Sequence, residues 1–239
     1  MIDEILKGED MDCKFTPYNV IAFSDADGVL EFVPNCCSVQ EAQLSSNRDL
    51  HKYLMSLSND EAEQRQIMKN WSMSCAGYAV ATYILAIGDR HLENLMLTDK
   101  GCMFHIDFGF ILGKNPKMRS ALSFAVAPIR LDKAMMTAMG GVGSDQYNEW
   151  RSLTSKAFIK VRRHRNLLIN LIYLMADAKI QDIPSEEVLD ILDKMNSRFL
   201  PELTEEEARV KFEAVIDQSV NSVSENLMQM QHEIAIKMK

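Results

Sequence analysis

Cysteine is scarce in this sequence, and its spacing excludes two kinds of small-protein framework. Five cysteines occur among 239 residues, and they form neither a C-x-x-C pair nor the Cys/His spacing of zinc ligands. A structural zinc site and a disulfide framework are therefore excluded, and a reducing, cytoplasmic environment fits the sequence. The cysteines are Cys13, Cys36, Cys37, Cys75 and Cys102.

Long apolar runs are also missing. The first seven residues lack the basic start and the apolar stretch of a signal peptide. The most apolar segment, residues 75–87, is too short to span a bilayer and leads into a charged motif. We therefore expect a protein that is soluble or peripheral to a membrane.

Basic residues are outnumbered by acidic ones. There are 26 Lys and Arg against 34 Asp and Glu, which gives a net charge of -8 and a pI near 5.2. Such a surface repels nucleic acid and anionic lipid on average, so we expect no nucleic-acid partner. At 47% hydrophobic residues, the chain can still bury a sizeable core, in one large domain or one and a half smaller ones.

The most informative feature that is present is a set of polar motifs in the middle of the chain. Gly-Asp-Arg-His at 88–91 is followed by Asn94 and, after two apolar stretches joined at 98–101, by His-Ile-Asp-Phe-Gly at 105–109. The two stretches predict a β-hairpin whose nearly equal arms bring Asn94 and Asp107 together at its open end. Their oxygens suit magnesium and leave coordination positions for nucleotide phosphates.

Asp89 lies five residues before Asn94, where it can reach an acceptor hydroxyl. Protein kinases use the same parts: a catalytic-loop Asp, an Asn five residues later, and the metal-binding Asp of Asp-Phe-Gly. Here the triplet reads Asp-Arg-His, the reverse of their His-Arg-Asp. The motifs therefore predict magnesium-dependent phosphoryl transfer.

Local patterns predict the elements around these motifs. Strands at 18–23 and 29–33 are joined by a turn at 25–28. Residues 72–87 are apolar around nearly the whole helix circumference, as in a buried central helix. Ser144 is placed to cap a long amphipathic helix.

The Gly-Asp-Arg-His-x-x-Asn and His-Ile-Asp-Phe-Gly motifs resemble the catalytic and activation loops of phosphatidylinositol 3- and 4-kinases and related large protein kinases. Over nearly the whole chain, the surrounding sequence is most similar to class III phosphatidylinositol 3-kinases, the vacuolar-sorting type. The stretches that carry this similarity are 74–78, 82–85, 111–113, 140–141 and 162–163.

The resemblance implies an α+β fold that is mainly α, namely a protein-kinase-like C-lobe with a residual N-lobe β-hairpin. Residues 1–35 would form the end of the small lobe and the hinge, and residues 36–239 the large lobe. Within the large lobe it implies a catalytic loop at 88–94, an activation segment at 107–131 and a C-terminal helix at 204–239.

The resemblance also implies ATP as the nucleotide, with Mg²⁺ or Mn²⁺ held by Asn94 and Asp107. The backbones of Glu31 and Val33 would bond to adenine, in a pocket that is otherwise apolar. The walls of this pocket would be Tyr18, Met96 and Ile106. An ordinary role in the core is the alternative for each of these apolar residues.

Two residues remain candidates for the catalytic base. Asp89 or His91 would accept the proton of the inositol 3-hydroxyl, while Arg90 orients or neutralises its neighbours. Histidine has the more suitable unperturbed pKa, whereas Asp89 is the positional counterpart of the protein-kinase base. For His105, a packing or hydrogen-bonding role is at least as well supported as a chemical one.

The activation segment is expected to recognise the lipid. Its cations are dispersed, which suits the single phosphodiester of phosphatidylinositol, although a solvated loop is the alternative for any one of them. The candidate substrate residues are Lys114, Lys117, Arg119 and Arg130. The resemblance further implies phosphatidylinositol in membranes and regulatory protein subunits as partners, at endosomal or autophagic membranes.

A glycine-rich or Walker loop and its phosphate-binding lysine are not found among the ten glycines and their neighbours. In the family these parts precede the region matched here. We therefore expect a large lobe with the last piece of the small one: a fragment, a gene model that begins at an internal methionine, or a stand-alone remnant. Weak ATP binding and slow turnover are expected for this chain alone.

Two other functions stay open at the level of sequence. One is a protein kinase of the same superfamily, although the short aromatic tail of those enzymes is missing from this sequence. The other is a non-catalytic lobe that acts as an interaction module.

Overall fold

The computed structural model describes residues 1–24, 27–113, 129, 131–176 and 188–220. There the chain is mostly helical with two small antiparallel sheets, which confirms the predicted mainly helical α+β composition. No described helix combines the length and apolar character needed to cross a bilayer. The helices are α1 (Ile2–Gly8), α2 (Val39–Ser45), α3 (Leu50–Ser56), α4 (Glu61–Leu85), α5 (Lys133–Ala138), α6 (Asp145–Arg163), α7 (Arg165–Ala176), α8 (Val188–Arg198) and α9 (Glu205–Val220). The strands are β1 (Val20–Ala22), β2 (Gly28–Leu30), β3 (Cys36–Ser38), β4 (Leu95–Thr98) and β5 (Met103–His105).

The first sheet is the predicted N-terminal hairpin. β1 and β2 pair antiparallel with Val20 opposite Leu30, but each strand is shorter than predicted and fully exposed. A two-stranded ribbon without a core beneath it gains little from longer pairing. Asp25 and Ala26 of the predicted turn lie outside the described residues.

The second sheet contains the hairpin that carries the polar motifs. β4 and β5 pair with Leu95 opposite His105, which confirms the predicted hairpin. Gly101 lies in its turn with a φ of +78°, a value that glycine adopts at little cost. β3 adds a third strand beside β4. Its three residues, Cys-Cys-Ser, carry too little strand signal to be predicted.

Helix α4 delivers the chain to these motifs. Asp60 caps its start by accepting a 2.9 Å hydrogen bond from the Glu63 amide. The stretch from Ser74 to Ile84 is buried throughout, which confirms the predicted central helix, although the helix begins earlier. Ala86 ends it in the left-handed region, with a φ of +46°. The chain therefore turns out of the core directly before Gly88.

Helix α6 joins the helical body together. Ser144 caps it as predicted, accepting a 3.1 Å hydrogen bond from the Tyr147 amide. Phe158 stacks on Phe212 of α9 with ring centroids 4.2 Å apart, and meets Tyr83 of α4 edge-on at 5.7 Å. Such buried aromatic pairs add packing energy beyond their area alone, so one cluster ties three helices together.

The two ends of the described chain are attached to this body. Leu6 of α1 is fully buried, and the Glu9 carboxylate lies 3.1 Å from both Arg163 Nη1 and His164 Nε2. The first residues thus contact the large helical body, and a lobe boundary at residue 35 stays a prediction. The residues of the predicted 204–239 helix after Val220 lie outside the described part.

Replacing Gly101 by alanine is predicted to destabilise the hairpin. An added Cβ would lie 2.6 Å from the Ile67 carbonyl oxygen at a positive φ, so Gly101→Ala should lower the free energy of unfolding by about 1–3 kcal/mol. Gly8→Ala is the control, because nothing lies within 4 Å of its Cβ position and alanine favours the helix. Urea unfolding measures both, and equal stabilities would contradict the proposed constraint.

Candidate functional site

The residues after Gly109 hold the candidate catalytic loop at 88–94 against the end of α4. The Gly88 amide donates to the Phe110 carbonyl at 2.7 Å, and the Leu112 amide donates to the Leu85 carbonyl at 2.8 Å. Two segments that are far apart in sequence are therefore joined by main-chain hydrogen bonds. This places the Asp-Arg-His triplet beside the Asp-Phe-Gly triplet.

Asn94 and Asp107 lie at the open end of the hairpin. The Ile106 amide donates to the Asn94 carbonyl at 3.1 Å, which continues the strand register by one step, so that Asp107 follows the residue paired with Asn94. The Asn94 side chain is buried, and its Nδ2 donates to the Asp89 carbonyl at 3.0 Å. Its Oδ1 is therefore the atom that remains to bind a cation.

The donor set at this end is small. Asp107 is exposed, and its Oδ1 accepts a 3.2 Å hydrogen bond from the Gly109 amide. Within the described ranges, no group of three or more His, Cys, Asp and Glu side chains could hold a metal ion. An amide and a carboxylate oxygen, completed by phosphate and water, fit the chemistry of Mg²⁺, which keeps several non-protein ligands.

Both aspartates adopt an unusual backbone conformation. Asp89 has a φ of +51° and Asp107 a φ of +57°. Aspartate enters the left-handed region more readily than most residues, but still at a cost that the surrounding structure has to offset. Such conformations concentrate at functional sites, and here they occur at both carboxylates that the motifs single out.

Arg90 connects these two backbones. Its guanidinium donates to the carbonyls of Gly88 at 2.9 Å, of Ile106 at 2.7 Å and of Asp107. It is buried, and it lies over the Phe108 ring with 5.6 Å between its Cζ and the ring centroid. Burial lowers the pKa of Arg90, while the charges of Asp107 and Asp89 oppose that shift.

The two histidines have different surroundings. His91 is part-buried, with its Nδ1 3.7 Å from Glu93 Oε2. His105 is buried against Tyr78 with ring centroids 4.6 Å apart, and its carbonyl accepts a 3.2 Å hydrogen bond from Tyr18. Burial and the nearby Arg90 charge hold the pKa of His105 far below its ordinary value. A neutral packing role therefore accounts for His105.

The candidate adenine residues share a position at the edge of the core. Four apolar members are partly buried and packed against the main hydrophobic cluster: Tyr18, Val33, Met96 and Ile106. Each thus packs on the core and leaves part of its surface outside it. The core role is therefore observed, and a role in binding adenine stays a prediction.

The segment that follows β2 has two main-chain groups without a backbone hydrogen bond among the described residues. The Glu31 amide donates to the Asn19 carbonyl at 2.8 Å, whereas the Asn19 amide donates to the Glu31 carboxylate at 2.9 Å. Among the described residues, the Glu31 carbonyl and the Val33 amide have no backbone partner. One acceptor and one donor two residues apart match the edge of an adenine ring.

Comparison with known proteins identifies the family of this chain. The family model for phosphatidylinositol 3- and 4-kinases matches residues 1–185. This chain belongs to that family. The resemblance noted from the motifs is thereby confirmed.

Individual relatives of this phosphatidylinositol 3- and 4-kinase family member are similar over almost its whole length. The nodule isoform of phosphatidylinositol 3-kinase from Glycine max is 39% identical over 97% of the chain. Phosphatidylinositol 3-kinase VPS34 is 38% identical over 97% of the chain in Arabidopsis thaliana and 36% over 98% in Saccharomyces cerevisiae. The chain spans only 26–28% of the length of these relatives.

The residues of this chain that were predicted to bind the lipid substrate are not among those that the structure describes. Lys114, Lys117, Arg119 and Arg130 all lie outside the described ranges. Of the candidate activation segment, the structure describes residues 107–113. Within them, Leu112 is buried in a small cluster with Val188 and Ile191 of α8. The substrate assignments therefore stay predictions.

Sequence motifs could not reveal several of the contacts that shape this kinase-family site. The acceptors of Arg90 are main-chain carbonyls, and so is the Phe110 oxygen that receives the Gly88 amide. A carbonyl is the same in every residue, so no residue type marks it. Tyr78, the partner of His105, lies within the predicted buried helix, where periodicity indicates burial but not which residue it contacts.

Arg90→Lys is predicted to destabilise the protein. Three separate guanidinium nitrogens reach the three carbonyls, whereas a lysine has a single nitrogen and lacks this planar fork, so buried acceptors lose their donors and the free energy of unfolding falls by about 2–4 kcal/mol. Arg65→Lys is the control, because Arg65 is 72% exposed in a surface pair with Glu61 and should change stability by less than about 0.5 kcal/mol. Chemical denaturation followed by circular dichroism measures both, and a matched small effect would contradict the bridging role.

Proposed function

We propose that this chain is the catalytic portion of a phosphatidylinositol 3-kinase, in which it transfers the γ-phosphoryl group of ATP to the inositol 3-hydroxyl of phosphatidylinositol. The pairing of Asn94 with Ile106 carries this proposal. It brings an amide and, through the next residue, the Asp107 carboxylate to one end of a hairpin. The names of the relatives, phosphatidylinositol 3-kinases, support the choice of reaction.

In this proposal the helical body is a protein-kinase-like large lobe. α4 is its buried central helix, and the hairpin of β4 and β5 presents the metal ligands at its edge. Residues 88–94 act as the catalytic loop. Residues 107–131 act as the activation segment, and residues 1–35 belong to the small lobe and hinge.

Nucleotide binding uses the edge groups already described. ATP lies with adenine between the half-buried apolar residues, accepting from the Val33 amide and donating to the Glu31 carbonyl. Asn94 Oδ1 and the Asp107 carboxylate would hold Mg²⁺ or Mn²⁺, which would neutralise charge on the nucleotide phosphates.

The transfer itself is an in-line displacement. The inositol oxygen forms a bond to the γ-phosphorus as the bond to the ADP oxygen breaks, and the hydroxyl proton passes to Asp89 or His91. Arg90 takes no proton in this scheme. Its three carbonyl contacts position Asp107 relative to the catalytic loop.

The lipid is bound at a membrane surface. The dispersed cations Lys114, Lys117, Arg119 and Arg130 contact the phosphodiester of phosphatidylinositol, at endosomal or autophagic membranes and with the help of regulatory subunits. A single phosphodiester carries one charge, so a dense basic cluster is not required for its recognition. An assay that offers phosphatidylinositol vesicles beside a generic peptide separates this activity from that of a protein kinase.

Loss of either proposed metal ligand is predicted to weaken metal-dependent nucleotide binding. Asp107→Asn and Asn94→Ala should each weaken the joint binding of Mn²⁺ and ATP by at least about tenfold, because each removes one of two protein ligands. Electron paramagnetic resonance of Mn²⁺ at millimolar ATP measures this. Asp99→Asn is the control, since Asp99 lies exposed at the other end of the same hairpin. Unchanged binding in Asp107→Asn would remove the basis of the proposal.

Two further variants distinguish the two candidates for the catalytic base. If Asp89 is the base, Asp89→Asn should reduce the single-turnover rate by about 10²–10⁴-fold with little change in nucleotide affinity, and His91→Ala should have a much smaller effect. The opposite ranking assigns the base to His91. Rapid-quench measurements with phosphatidylinositol vesicles decide between them, and wild-type rates in both variants would exclude both residues.

A further inference from the structure

A second surface feature lies far from the candidate site, between α4 and α6. It is an open cleft of about 870 Å³. Its apolar lining comes from Met68 and Met73 of α4, Leu153 of α6, and Met139 at the end of α5. Methionine side chains are flexible and polarizable, so a floor made largely of them adapts to different apolar partners.

The second half of α4 separates the cleft from the candidate phosphoryl-transfer site. Met73, the cleft residue of α4 nearest to that site, lies 12 residues before Leu85, which corresponds to about 18 Å along a helix axis. Tyr83, near the end of α4, packs on Phe158 of α6, so the two helices are in contact between the cleft and the catalytic loop. A ligand in the cleft therefore does not occupy the candidate metal and nucleotide positions at Asn94 and Asp107.

The rims of the cleft carry different charges. The α4 rim contributes Lys69, whereas the α6 rim contributes Asp145 and Glu149 and, two turns further on, Lys156. Within the part of the chain that the structure describes, none of these four charged groups forms an ion pair or a side-chain hydrogen bond. They are available to an incoming partner.

Neighbouring charges on the same helix are satisfied internally. Arg151 of α6 contacts Glu213 at 2.6 Å and Asp217 at 2.8 Å, and Arg163 contacts Glu205 at 2.9 Å. These pairs attach α6 to α9. The face of α6 that borders the cleft is different. It carries acidic and basic side chains beside apolar surface, and these side chains form no ion pairs within the described residues.

We propose that this cleft binds an amphipathic α-helix of a protein partner. Apolar side chains at helical spacing would enter the methionine-lined floor, as in helix-in-groove recognition. Charge complementarity requires acidic groups of that helix to face Lys69 and Lys156, and basic groups to face Asp145 and Glu149. A purely anionic ligand such as anionic lipid or nucleic acid would satisfy only the two lysines and would place like charge against both carboxylates.

Three designed helical peptides test the proposal with the full 239-residue chain. They share one leucine face and differ in their charged flanks. The first carries Glu on the flank towards α4 and, on the flank towards α6, Lys opposite Asp145 and Glu149 followed by Glu opposite Lys156; the second carries only Glu, and the third only Lys. The mixed peptide should bind at least about tenfold more tightly than either of the others, measured by fluorescence anisotropy. Equal affinities, or no binding of the mixed peptide, would overturn the proposal.

Charge reversal in the cleft should change this preference. In the double variant Asp145→Lys/Glu149→Lys both rims are basic, so the all-Glu peptide should become the tightest ligand. Leu153→Asp should abolish binding of all three, whereas Val210→Asp, at an exposed apolar position on α9, should not. If the order of the three peptide affinities were the same in these variants as in the wild type, the peptides would bind elsewhere.

Spectroscopy and a catalytic-site variant separate this proposal from the proposed enzymatic function. With ε-methyl-labelled methionine, NMR signals of Met68, Met73 and Met139 should shift on peptide addition, while that of the buried Met195 on α8 should not. Asp107→Asn should leave peptide binding intact. If its affinity fell in parallel with nucleotide binding, a separate helix-binding cleft would be excluded.

Discussion

The guanidinium of Arg90 joins the two segments on which the candidate site depends. It donates to carbonyls of Gly88 in one segment and of Ile106 and Asp107 in the other. A buried carbonyl that loses its donor costs more than a single hydrogen bond gains, so the segments resist separation. The position of Asp89 relative to Asp107 thus rests on a side chain that need not touch substrate.

The core supports this arrangement by holding the end of α4 still. Tyr83 lies two residues before the end of α4, and its ring packs against Phe158 and Phe212 from two other helices. From that anchored end the chain passes directly into the candidate catalytic loop. The part-buried candidate residues Asp89 and His91 therefore follow directly on the buried half of α4, and rigid support of this kind is what positioning for catalysis requires.

The charged side chains of α4 and α6 fall into two groups, those in ion pairs within the fold and those exposed at the cleft. Arg151 and Arg163 are consumed in attaching α6 to its neighbours, whereas Lys69 and Glu149 border an open cleft. Paired charges cost less to hold near the core, and unpaired ones stay at the rim in water. One helix can therefore stabilise the fold on one side and recognise a partner on the other.

The sequence by itself determined the local features: the hairpin with a glycine turn, the cap at Ser144, the buried half of α4 and the spacing of Asp89, Asn94 and Asp107. These follow from near neighbours, because turns, caps and helical periodicity depend on residue type within a few positions. Tertiary structure alone decided that α1 packs on α6 and that the Glu31 carbonyl stays available. It also decided that Arg90 serves three main-chain acceptors. Such contacts join distant segments through backbone groups that are alike in every residue, so no pattern of side chains in the sequence predicts them.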